Sequence, residues 1–138
     1  MNLREANWNN TRMARILFVD DDSLTLQLLD QATRLLGHDP IYDPSAKRAI
    51  KLAAAERPDL IIVDLSMMEM SGTALVRRLR EQPETAHIPV LILSAAYDTQ
   101  DKQAAMDAGA ADILDKPINL GELARVINHH LPASSGNE

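Results

Sequence analysis

A doubly wound α/β fold, one parallel five-stranded sheet between two layers of helices, is what this sequence predicts. Three observations predict it. Short apolar runs recur five times, a stretch with helical spacing follows each of them, and a chain of 138 residues has room for one core. Parallel strands need long crossover connections, and a helix after every strand supplies them. An apolar content of 46% with only 3% aromatic residues suits aliphatic helices laid on a buried sheet.

Each element follows from its residues. Residues 1–14 are polar and unpatterned, so they are expected to form a flexible tail in which Trp8 is incidental. Ile16-Leu17-Phe18-Val19 reads as a buried strand leading into Asp20-Asp21-Asp22. Leu24, Leu28, Ala32, Leu35 and Leu36 share one face of the helix that follows, and Gly37 ends it. Pro40 to Asp43 is a weaker strand, and Ser45 can cap a helix carrying Ala46, Ala49, Ile50 and Ala53 until Arg57-Pro58 breaks it. Leu60-Ile61-Ile62-Val63 is a fully buried strand ending in Asp64. A loop over residues 66–71 leads to a helix with Leu75, Val76 and Leu79, and Pro89 to Leu93 is a strand running up to Ser94. A fourth helix around Asp101 to Ala108 ends near Gly109, and Asp112-Ile113-Leu114 is the last strand. Asn119 and Glu122 have the spacing of a capping box for a final helix whose buried stripe is Leu120, Leu123, Ala124, Ile127 and Leu131. The folded domain should therefore span 15–131, with a polar tail over 132–138.

Composition excludes several classes. A net charge of −6 opposes binding to phosphate backbones, so no direct nucleic-acid contact is expected. The absence of cysteine excludes disulfides and thiolate metal sites and fits a reducing compartment. Neither a secretory leader nor a run of eighteen apolar residues is present, so a cytoplasmic protein without membrane insertion is expected.

In open parallel sheets, function gathers outside the carboxyl ends of the strands. Here those ends carry Asp20-Asp21-Asp22, Asp64, Ser94-Ala95 and Lys116-Pro117. Carboxylates about 4 Å apart repel by roughly 4 kcal/mol at an effective dielectric of about 20, so Asp20, Asp21 and Asp64 need a cation or protons. Magnesium takes hard oxygen ligands and works with one or two carboxylates and a phosphate. An aspartate beside it is a plausible nucleophile toward phosphorus, and Asp64 is the best placed. Lys116 and the Ser94 hydroxyl would then neutralise the oxygens of a transferring phosphoryl group. Taken singly, each residue has a plainer explanation as a cap, a turn residue or a solvated charge. Their joint placement at strand ends points to one phosphoryl-transfer site.

The stretches Ile16 to Asp22, Pro58 to Asp64, Ile88 to Ala95 and Gly109 to Pro117 resemble the receiver domains of two-component response regulators. Ser94 lies thirty residues after Asp64 and Lys116 twenty-two after Ser94, as the family pattern has it. The resemblance implies a flavodoxin-like sheet of order 2-1-3-4-5, for which the chemotaxis regulator of this family is a standard case. It also implies Asp64 as phosphoacceptor, Asp21 as direct magnesium ligand, Asp20 as ligand through water and Ser66 as ligand through its carbonyl. Asp22 would be a helix cap, and Ser94, Ala95 and Ile113 the positions that switch. Such a protein is not a conventional enzyme, although it promotes its own aspartyl phosphorylation and dephosphorylation. Its implied partners are a sensor histidine kinase or histidine phosphotransfer protein and a downstream effector protein. With no effector domain after Leu131, a freestanding regulator or relay shuttle is expected, unless the sequence is a piece of a longer protein.

Departures from the family pattern carry information too. Receivers usually have proline four residues after the phosphoacceptor, whereas this chain has Met68 within Met67-Met68-Glu69-Met70, which leaves that loop's geometry open. Ile113 stands where many members place a Tyr or Phe, Ile118 where Phe is common, and Val126 where an interface arginine is found. An aromatic rotamer switch is thereby excluded. His38 and His87 read as loop residues, and His129-His130 as a helix-end pair without carboxylate company. Three aspartates after the first strand would repel a flavin phosphate, and Ser66 replaces the second acid that a dehalogenase-type phosphatase requires. The remaining rival is a receiver-like interaction scaffold that is never phosphorylated.

Overall fold

The computed structural model describes residues 13–95 and 99–131. Trp8 and the polar segments 1–12 and 132–138 lie outside the described residues. Ten elements alternate: β1 (Arg15–Val19), α1 (Ser23–Leu35), β2 (Asp39–Asp43), α2 (Ala46–Glu56), β3 (Leu60–Asp64), α3 (Gly72–Glu81), β4 (Val90–Ala95), α4 (Thr99–Ala108), β5 (Asp112–Lys116) and α5 (Leu120–His130). All strand pairs are parallel and the sheet order is β2-β1-β3-β4-β5.

Alternation along the central strands divides the apolar residues between two cores, since successive side chains leave a strand on opposite faces. Leu17, Val19, Ile61, Val63, Val90 and Ile92 pack on the side of α2 and α3. Ile16, Phe18, Leu60, Ile62, Leu91 and Leu93 pack with Leu26 and Leu29 of α1 and Leu123, Val126 and Ile127 of α5. A strand enclosed on both faces reads as a continuous apolar run, which is why β1, β3 and β4 were legible.

The helices are less simple. Leu26, Leu29 and Thr33 are the buried residues of α1, whereas Leu24, Leu28 and Leu35 are 60%, 51% and 76% exposed. Three residues of the expected apolar face are thus turned to solvent while Ala32 and Leu36 pack against the core, because α1 carries two leucine stripes and periodicity alone does not choose between them. In α5, Leu120 is likewise exposed and Val126 is buried in its place. Asn119 caps α5 by accepting the Glu122 N–H at 3.0 Å, but the Glu122 carboxylate pairs with Arg125, so only half of the capping box forms. The end of α1 is a Schellman turn: the Gly37 N–H donates to the Arg34 carbonyl and the His38 N–H to that of Thr33, with Gly37 at φ +87°.

Two polar contacts correct the reading of individual residues, and a third fastens α3 to its neighbours. Ala14 belongs to the core, not to a tail, and its N–H donates to Nδ1 of buried His38 at 3.1 Å. His130 does have a carboxylate partner, Nε2 lying 3.0 Å from Oδ2 of Asp112. Arg80 directs its guanidinium to carbonyls, those of Ile88 (2.7 Å), Ala86 (3.1 Å) and Gly109 (3.1 and 3.2 Å), joining the end of α3 to the turn before β5.

Burial holds the His38 imidazole below its ordinary pKa. Its Nδ1 must stay unprotonated to accept from Ala14, so the unfolded chain takes up a proton that the folded chain refuses. That contribution is complete above the unfolded value of about 6.5 and is lost as pH falls through it toward the lower folded value. Denaturant unfolding at about pH 7.5 and about pH 5.5 is expected to show the wild type losing more stability on acidification than His38→Gln. Equal losses would refute this account.

Candidate functional site

β1, β3 and β5 bring their carboxyl ends to one edge of the sheet, in the order the register dictates. Val19 lies beside Val63, Asp64 beside Leu93 and Ala95 beside Lys116. Asp20 and Asp21 follow β1 directly, Asp64 ends β3 and Lys116 ends β5. The predicted acids therefore meet: one oxygen from each of Asp20, Asp21 and Asp64 lies within 4.8 Å of the others. Lys116 completes the group, its Nζ standing 2.9 Å from Asp64 Oδ1 and 3.6 Å from Asp20 Oδ2. Its peptide bond to Pro117 is cis.

The acids differ in their surroundings. Asp20 Oδ1 accepts the Asp22 N–H at 2.9 Å. Its Oδ2 is buried without a hydrogen-bond partner, Lys116 being at ion-pair distance only. Burial pushes the Asp20 carboxyl up to about 6, and the Asp22 N–H offsets part of this. Burial also raises Asp64, against the hydrogen bond and charge of Lys116. For Lys116 desolvation lowers the pKa, but Asp64 and Asp20 outweigh it and the net shift is upward. Acid and base both move upward because their exposure differs: the Lys116 side chain is 33% exposed and that of Asp64 only 7%. Asp22 is a cap, as expected, accepting from Thr25 N–H (3.1 Å) and Thr25 Oγ1 (2.6 Å).

The remaining predicted residues lie on β4, on β5 and just after β3. The buried Ser94 hydroxyl donates to the Ala95 carbonyl at 2.9 Å, and Ile113 is partly buried against the core on the α2 and α3 side. Ser66 is an exposed loop residue immediately beyond Leu65. Its N–H is one of the groups that lower the Asp64 carboxyl. A shallow groove of about 510 Å³ beside Asp21 is bordered by Pro44, Met67, Met68 and Glu69.

Three residues around the site carried no chemical signal in the sequence. Met68 donates its N–H to Asp21 Oδ2 at 2.9 Å. Glu69 ties the same loop to the start of α2, accepting from Ser45 Oγ at 3.1 Å and from Lys47 N–H at 3.4 Å. Gly72 brings α3 against the back of β3: a Cβ there would lie 2.7 Å from the Asp64 carbonyl oxygen and 2.8 Å from Leu65 Cα. The missing proline at 68 was the one available hint, since proline has no N–H to give.

An all-oxygen, doubly or triply anionic donor set with one orphaned buried carboxylate oxygen suits a hard divalent cation. Among the described residues no helix is long and apolar enough to cross a membrane.

The profile of the family described as "Response regulator receiver domain" matches residues 16–128. The DNA-binding dual master transcriptional regulator RpaA of Synechocystis sp. is 39% identical over 115 residues, 83% of this chain and 48% of RpaA. This chain thus spans about half the length of that regulator, and of the KDP operon regulator KdpE of Escherichia coli. Among solved structures, the chemotaxis response regulator CheY4 of Vibrio cholerae superposes with a TM-score of 0.81 at 28% identity, covering 87% of this chain and all of CheY4. The receiver domain of sensor histidine kinase PA1611 from Pseudomonas aeruginosa, described with a magnesium ion in its active-site cleft, gives 0.80 at 25% identity over 86% and 98%.

Proposed function

This chain belongs to the response regulator receiver domain family, and from that premise we propose that it accepts a phosphoryl group on Asp64 from a phosphohistidine of a sensor kinase or phosphotransfer protein. The observation that carries this reading is the convergence of Asp20, Asp21 and Asp64 with Lys116 at 2.9 Å from the intended nucleophile. Asp20, Asp21, Asp64 and the Ser66 carbonyl would hold magnesium. When bound, the cation supplies charge neutralisation at the phosphoryl oxygens.

The protein's own groups divide the remaining work. An Asp64 oxygen attacks phosphorus in line, forming the O–P bond as the N–P bond to the donor imidazole breaks, and the leaving imidazole takes a proton from solvent. Lys116 holds a developing phosphoryl charge that Asp64 alone could not tolerate. Water later cleaves the O–P bond and returns the free carboxylate and inorganic phosphate. Between these events, the Ser94 hydroxyl leaves the Ala95 carbonyl for the phosphoryl group. That exchange, together with Ala95 and the packing of Ile113, shifts the surface of α4, β5 and α5 toward an effector-binding state.

Intact mass after incubation with acetyl phosphate and magnesium tests the proposal. One phosphoryl group is expected on the wild type and none on Asp64→Asn. An unmodified wild type, with the fold intact by circular dichroism, would favour the constitutive scaffold instead.

A further inference from the structure

The loop after β3 departs from the family at Met68, and the departure lies against the acid cluster. The Met68 side chain is 94% exposed, so it contributes little packing. What the residue does contribute is a backbone donor, aimed at Asp21 Oδ2 at 2.9 Å across forty-seven residues of sequence. Proline at this position would have no hydrogen to give. The next residue, Glu69, fastens the loop to α2 through Ser45 and Lys47, so the amide is presented from a segment held on its far side as well.

We propose that the Met68 N–H is a positioning group for Asp21, fixing one oxygen of its carboxylate so that the other is left to the divalent cation. Asp21 is otherwise the exposed member of the three acids, with fewer constraints than Asp20 or Asp64. A mobile carboxylate loses rotamer freedom when it coordinates; one already held by an amide loses less. Hydrogen-bond partners of ligating carboxylates are commonly worth about 10-fold to 100-fold in metal affinity. The inference rests on the proposed magnesium site and names what orients one of its ligands.

Two measurements test it. The first is magnesium affinity by calorimetry on Met68→Pro and Met68→Ala, the alanine variant keeping the N–H while losing the side chain. Affinity is expected to be about 10-fold weaker in the proline variant than in the alanine variant. The second needs no change in the loop: exchange of the Met68 amide hydrogen by NMR in the metal-free wild type and in Asp21→Ala. Protection is expected in the former and loss of it in the latter, despite the exposure of the side chain. Equal affinities in the two Met68 variants, or an unprotected Met68 amide in the wild type, would overturn the positioning role while leaving the magnesium site standing. Absence of magnesium binding by the wild type would overturn both.

Discussion

Lys116→Met is expected to slow phosphoryl acceptance by Asp64 about 10²-fold to 10³-fold, the usual consequence of removing one preorganised positive group from a charge-developing site. The same substitution should lower the stability of the metal-free protein at neutral pH by about 1–2 kcal/mol. A fully buried pair broken on one side costs about 3–5 kcal/mol, and the one-third exposure of the lysine reduces this. The sign of the pH dependence follows from the acids. Burial already raises Asp20 to about 6 and raises Asp64, and without the ammonium both rise further. Above those values the variant holds two buried negative charges with no cation between them; below them the acids are neutral and the loss disappears. Unfolding curves of wild type and variant should converge as pH is lowered to about 4, and magnesium should restore the variant preferentially at neutral pH. A stability difference independent of pH would show that the lysine acts by packing alone.

Gly72→Ala should be strongly damaging although the change is small. Alanine in a helix is favoured over glycine by about 1 kcal/mol. Here the added Cβ would meet the Asp64 carbonyl oxygen at 2.7 Å and Leu65 Cα at 2.8 Å, both of them backbone. Neither can swing aside as a side chain would. Overpacking of this kind costs about 1–3 kcal/mol or more, so the clash wins and a net loss of about 2 kcal/mol is expected in denaturant unfolding. The displaced atoms belong to the nucleophile's own residue and its neighbour, so the rate of phosphoryl acceptance should fall as well. Gly121→Ala is the matched control, since its Cβ would meet only the Asn119 side-chain oxygen at 3.3 Å. If the two variants unfold alike, close approach at Gly72 is not the constraint it is taken to be.

These sites show what a sequence discloses and what it withholds. Asp20, Asp21, Asp64 and Lys116 were legible because they follow apolar runs that can only be buried strands, and a parallel sheet delivers its strand ends to one edge. The outward face of α1 was not legible, since Leu24, Leu28 and Leu35 are as apolar as Leu26 and Leu29, and the choice depends on where Thr33 and the sheet sit. Contacts made by main-chain atoms leave little trace in residue type, which hid the close approach at Gly72 and left the missing proline as the one hint of the Met68 amide. The His130–Asp112 contact joins residues eighteen apart whose proximity exists only after α5 has docked.

Arg80 has a bearing on conditions outside neutral buffer. Its hydrogen bonds to Ile88, Ala86 and Gly109 neutralise no partner ion. Added electrolyte weakens attraction between exposed opposite charges but has little hold on a half-buried cation seated among carbonyl dipoles. In concentrated brine, where pairs such as Arg48–Asp43 and Arg125–Glu122 fade, this clasp should keep the foot of the third helix fastened to its neighbours.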